Sequence, residues 1–275
     1  MIQIGIEFNE SAAVWRRDAE AILSDVCILM ELHKAGMLGG EVMPEDALVG
    51  HVPKEALPEV ITLGMSLNFQ RNSYRLWESV AATYVDSATR WIFDVDRVAH
   101  ASLDDLRASL LQYKVGLQPN KHTEIWSRVA SGIHRHGECS VVKLVESCER
   151  DIVRLRSRVQ GDLKKDFPYL SGPKIFNYWL YVMEQYCDVK WLSRDEISIA
   201  PDTHVLQGSV RLGLVSSDVL DGSAQSRELV SNAWKELLAQ QSFAVIDVHT
   251  PLWLWSRAGL PALERLSIRV DSWDN

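Results

Sequence analysis

LSGPKIFNYWLYVMEQY (170–186), a polar connector, and IAPDTHVLQGSVRLGL (199–214) decide how this chain reads. Ser171-Gly172-Pro173 breaks the chain, and apolar residues then recur at helical spacing from Ile175 to Met183. A proline in the first turn is preorganised for a helix and wastes no hydrogen bond. In the second segment Pro201 precedes Asp202-Thr203-His204-Val205, and aspartate is a preferred N-cap. Each helix therefore opens on one reactive side chain: Lys174 in the first turn of one, Asp202 at the cap of the next. The two starts are expected to face each other.

Helical periodicity dominates outward from this region. A short strand is expected at 2–8, where apolar residues alternate. A helix is expected over 11–34, ended by Gly36, Gly39 and Gly40. Pro44, Pro53 and Pro58 make 41–57 a loop or linker with one short helix. One long helix is expected over 58–86, then others near 102–114, 121–134, 140–148 and 151–166. A further helical run covers 222–240, and 244–248 reads as a short strand or buried extended segment. There is no repeat. The fold class is mainly α, with about ten or more helices.

At 275 residues the chain can bury one large core or two small ones. No apolar run reaches the roughly 20 residues that cross a bilayer, and the N-terminus lacks the basic-then-apolar order of a signal peptide. No membrane association, a cytoplasmic location and no obligate protein partner are expected. Cys27, Cys139, Cys148 and Cys187 are scattered without a C-x-x-C spacing. That argues against a zinc or iron–sulfur site and for free thiols, so no metal and no organic cofactor is expected. The net charge of −8 is unlike the basic surface of most nucleic-acid-binding proteins, so any such contact must rest on a local patch.

A lysine at a helix N-terminus, if buried, is disfavoured as an ammonium and becomes a nucleophile able to form a Schiff base. A solvent-directed lysine needs no such role. An N-cap carboxylate is aimed rigidly. It can stabilise an oxocarbenium-like transition state or accept a proton from a nucleophile. Capping alone would also account for Asp202. A helix, hairpin and lysine helix followed by Asp202-Thr203-His204-Val205 and Arg211-Leu212-Gly213-Leu214 resembles the helix-hairpin-helix DNA glycosylases. The shortened hairpin Leu170-Ser171-Gly172-Pro173-Lys174 lacks the family's second glycine, and the lysine–aspartate gap is long. Both features are similar to the divergent archaeal 8-oxoguanine glycosylase branch.

The resemblance implies two helical subdomains around a cleft: 58–188, ending in the hairpin and Lys174 helix, and 1–57 together with 189–275, carrying Asp202. It implies Asp202 and Lys174 as catalytic residues. Asn68 or Gln70 would fill the gap left by a flipped base, or read its edge; the alternative is an ordinary helix-end amide. Tyr178, one turn after Lys174, and Trp253 with Trp255 would sandwich the base, against plain core packing. Asp247 and His249 could bond a base edge, although a satisfied, partly buried histidine is the better account of His249. Gly172, Lys121 and His122 are candidate phosphate contacts at helix starts, against simple capping.

The expected partner is double-stranded DNA containing a modified base. The expected activity is excision of that base to leave an abasic site, with lyase activity through Lys174 as a possible second step. Candidate substrates are 8-oxoguanine or a hypermodified base of phage DNA, the latter as antiphage defence. One alternative is an N-glycosidase of a free modified nucleoside or nucleotide, similar to queuosine-salvage enzymes. Another is a non-catalytic nucleic-acid-binding helical protein.

Overall fold

A computed structural model describes residues 15–38 and 42–263 of the chain. The strand expected at 2–8 lies outside the described residues. Among those described there are twelve α-helices and no strand. They are α1 (Ala19–Lys34), α2 (Leu57–Met65), α3 (Ser73–Val85), α4 (Val95–His100), α5 (Leu103–Gln112) and α6 (Pro119–Gly137), followed by α7 (Val141–Glu146), α8 (Ile152–Ser157), α9 (Pro173–Cys187), α10 (Thr203–Leu212), α11 (Ala224–Leu237) and α12 (His249–Arg257). Short 3₁₀ turns and one π turn connect them.

Local chemistry sets most helix starts. Asp18, Asn72, Asp94, Ser102, Ser140, Asp151, Asp202 and Ser223 each accept a backbone N–H in the first turn of the helix that follows. The single helix expected over 58–86 is two helices. Gln70 takes a left-handed φ of 50°, which ends helical propagation, and the Asn72 cap restarts it. The segment at 244–248 is neither strand nor extended; Val245–Val248 is a 3₁₀ turn, closed by Asp247 accepting the Ala244 N–H at 2.8 Å.

Contacts divide the chain between 40 and 41 and between 200 and 201. These divisions differ from the expected boundaries at 57/58 and 188/189. Residues 41–57 join the larger unit because the 3₁₀ turn Pro44–Leu48 packs on α3 and bonds to α9. Its Glu45 and Asp46 accept the hydroxyls of Tyr178 and Tyr186. Residues 189–200 join it through Trp191, whose indole donates to Leu180 O, the Arg194–Glu184 ion pair, and the Ser198 N–H bonded to Asn177 Oδ1.

Within 41–200, α2 is the central element. Every residue of it except Glu59 is buried, as expected of a helix packed on all sides. Thr62 Oγ1 donates to Pro58 O at 2.7 Å and accepts the Trp179 indole N–H at 2.9 Å, joining α2 to α9. Gly64 lets Trp77 approach: a Cβ there would lie 2.8 Å from the indole.

The other unit holds α1, α10, α11 and α12. Gly208 brings α10 against α12, where a Cβ would meet Leu252 at 3.0 Å. Ser209 Oγ accepts the buried Trp234 N–H at 2.8 Å and donates to Val205 O. Gly213 ends α10 at φ 79°, and Arg17 fixes that end by donating to Leu212 O.

Candidate active site

Asp202 caps α10 as expected. Its Oδ1 accepts the His204 N–H at 2.9 Å and the Val205 N–H at 3.0 Å. Both backbone bonds fall on one oxygen, so the carboxylate is anchored at Oδ1 and aimed through Oδ2. The residue is half-buried. Surrounding contacts hold this helix start in place. Arg227 donates to the carbonyl of Pro201, directly before the cap. Ser256 Oγ donates to Gln207 Oε1 at 3.0 Å and lies 3.1 Å from His204 Nδ1. A hydroxyl has one proton, so its bond to Gln207 makes His204 Nδ1 the donor to Ser256. The His204 ring then stands edge-on to Trp253, with centroids 5.6 Å apart.

Lys174 occupies the first turn of α9, where the sequence places it, but it is exposed. The burial expected to favour the neutral amine is absent. Gly172 caps this helix without a side chain. Its N–H donates to Tyr169 O at 2.9 Å, and the Ser171 N–H donates to Phe167 O. These hairpin amides are spent inside the turn, so Gly172 has no N–H to offer a phosphate.

Tyr178 lies one turn on. Its hydroxyl donates to Glu45 Oε2 at 2.9 Å, and burial pushes its ionisation well above the ordinary range. Glu45 is fully buried. Burial raises its carboxyl from 4.5 to about 7, against the lowering effects of its backbone bond, Tyr178 and Trp77. Glu45 Oε1 and the Trp77 indole N–H each lack a hydrogen bond of good geometry. Sequence reading missed Glu45 because its segment looked like a linker.

The C-terminal candidates lie in the unit that holds α10 and α12. Trp255 is buried and donates to Pro261 O at 2.9 Å. Trp253 is buried, with His204 at its edge and the Arg257 guanidinium over its face. Asp247 closes the 3₁₀ turn, and His249 is buried at the start of α12.

A different group comes together at 66–71, the start of α6 and the turn before α9. Gln70, Arg71, Lys121, His122, Phe69 and Tyr169 line a cavity of about 100 Å³, room for a few waters or a small anion. Phe69 is exposed and stacks on Tyr169, with centroids 4.9 Å apart. Lys121 Nζ lies 5.4 Å over the same Tyr169 ring. Arg71 donates to Val115 O at 2.7 Å and Lys114 O at 3.2 Å. His122 Nδ1 accepts the Leu117 N–H at 3.0 Å. Burial first, then Arg71 and Lys121, lowers its basicity, so positive charge here comes from Arg71 and Lys121. Asn68 faces inward instead, with Oδ1 accepting from Ser73 Oγ at 2.9 Å. Arg71, Phe69 and Tyr169 were not singled out from sequence; the aromatic–basic interleaving in Phe69-Gln70-Arg71 was the available signal.

No protein-family model matches this chain, and no curated protein matches it.

Proposed function

We propose that this protein is a DNA glycosylase that flips a damaged or modified base from duplex DNA and cleaves its N-glycosidic bond. The observation that carries the reading is the anchoring of Asp202: two backbone N–H groups on Oδ1, in a half-buried helix start fixed by Arg227 and by the His204–Ser256–Gln207 chain. A carboxylate held this way stabilises positive charge developing on a sugar at little reorganisation cost. It can also take the proton of the attacking group. Either nucleophile balances. Water adds to C1′ while the base leaves with the bonding electron pair, and the proton goes to Asp202. Alternatively a lysine amine, for which Lys174 is the candidate, adds to C1′ as the base leaves with the bonding pair; the amine gives up a proton, O4′ takes one as the sugar ring opens, and a Schiff base results.

The patch of Arg71, Lys121 and the Phe69–Tyr169 pair supports a nucleic-acid substrate despite the net charge of −8. Cations neutralise phosphate, and an exposed aromatic pair suits base stacking. The spent amides of Ser171 and Gly172 favour the free-nucleotide alternative, because they remove the hairpin's grip on a duplex. The test is alkali-labile strand breakage in duplexes carrying oxidised, alkylated, deaminated or hypermodified bases. Breakage by wild type, lost in Asp202→Asn, is expected. Equal breakage by the Asn variant would end the assignment of Asp202.

A further inference from the structure

Away from both candidate catalytic residues, Asp96, His134 and Cys139 bring one carboxylate, one imidazole and one thiol together. Asp96 is the second residue of α4, His134 stands in the last turn of α6, and Cys139 follows the Glu138 cap of that helix. His134 Nε2 lies 3.2 Å from Asp96 Oδ1, and Cys139 Sγ lies 3.8 Å from the same oxygen. All three ligand atoms fall within 4.8 Å of one another.

The N···O and S···O separations are close to the edges of a tetrahedral coordination shell. Zn–N and Zn–O bonds near 2.1 Å and Zn–S near 2.3 Å imply N···O edges of about 3.4 Å and S···O edges of about 3.6 Å. The turn that aims the thiol is itself unusual. Glu138 and Cys139 take left-handed φ values of 50° and 66° in succession, a conformation that costs non-glycine residues of order 1–3 kcal/mol each. The turn sends the chain back so that Cys139 meets α4. Lys143 pairs with Glu138 at 2.8 Å, which holds that neighbouring carboxylate at the turn. His100 stands beside the cluster. Its Nδ1 bonds Asp96 O at 2.8 Å, and its ring stands edge-on to His134 with centroids 5.4 Å apart. Asp96 and His100 also border a cavity of about 830 Å³, so a fourth, exchangeable ligand has room.

We propose that Asp96, His134 and Cys139 form a binding site for a divalent transition metal of the zinc class, with water as the fourth ligand. The mixed nitrogen, sulfur and oxygen set suits Zn²⁺ over Mg²⁺ or Ca²⁺, which take oxygen ligands. Binding displaces the thiol proton to solvent and joins α4 to the end of α6. The absence of a C-x-x-C motif, which led to the expectation of no metal site, does not bear on such a cluster, because its ligands come from 96, 134 and 139.

The test is Co²⁺ titration of EDTA-treated, reduced protein, read by the near-ultraviolet thiolate-to-cobalt band and displaced by Zn²⁺. One equivalent is expected to give the band, Cys139→Ser to lose it, and His134→Ala to weaken binding by about tenfold or more. Cys27→Ser and Cys187→Ser are expected to retain it, and circular dichroism checks that each variant is folded. No band in wild type, or an unchanged band in Cys139→Ser, would overturn the proposal.

Discussion

Replacing Glu45 by glutamine tests the buried contact that positions α9. The wild-type carboxyl is raised from 4.5 to about 7, chiefly by burial. The folded state therefore holds the Glu45 proton more tightly than the unfolded chain does. The resulting stability is fully present below about pH 4.5 and is lost as pH rises to about 7. At about 1.4 kcal/mol per pH unit, the rise from 4.5 to about 7 corresponds to roughly 3 kcal/mol. Glutamine cannot ionise. Its carbonyl oxygen can accept the Tyr178 hydroxyl as Glu45 Oε2 does, and its amide carries no charge to bury. Urea unfolding of wild type and Glu45→Gln, followed by tryptophan fluorescence from pH 4 to pH 8, gives the difference directly. The variant should gain on wild type by about 3 kcal/mol across that range, with most of the change between pH 4.5 and 7. A difference that stays constant with pH would refute the reasoning, because Glu45 would then titrate as a solvated carboxylate.

Three further outcomes follow from particular contacts. Gly64→Ala should destabilise by about 1–3 kcal/mol in thermal or urea unfolding, since the new Cβ meets Trp77 at 2.8 Å in the centre of its unit. Asp202→Ala should cost about 1 kcal/mol through loss of the α10 cap while Asp202→Asn keeps most of it; activity lost equally in both variants separates catalysis from capping. Borohydride should trap a covalent adduct between wild type and its DNA substrate, absent in Lys174→Ala. Base release without any adduct would assign the nucleophile to water.

What the sequence made legible was local. Ser102, Ser140, Asp151 and Asp202 each announced a helix, because a cap acts on amides two or three residues away. The break inside 58–86 was harder to see, because Gln70 is neither glycine nor proline and takes its left-handed backbone from tertiary context. The Pro44–Leu48 turn looked like linker because its role rests on Tyr178 and Tyr186, which lie 133 and 140 residues from their partners. At the candidate site, the positions of Lys174 and Asp202 at helix starts were readable. The exposure of Lys174, the packing of Trp255 and the spent Gly172 amide were not, because each depends on which segments surround the residue. Cys139 lacked a motif for the same reason: its neighbours Asp96 and His134 arrive from two helices.

Mass spectrometry of free bases tests the central claim most directly. The protein is incubated with DNAs carrying oxidised, alkylated, uracil-containing or hypermodified bases, with free modified nucleotides in parallel and Asp202→Asn as control. Wild type should release one base from DNA that Asp202→Asn does not. Release from free nucleotides alone, or no release from any DNA, would contradict that claim.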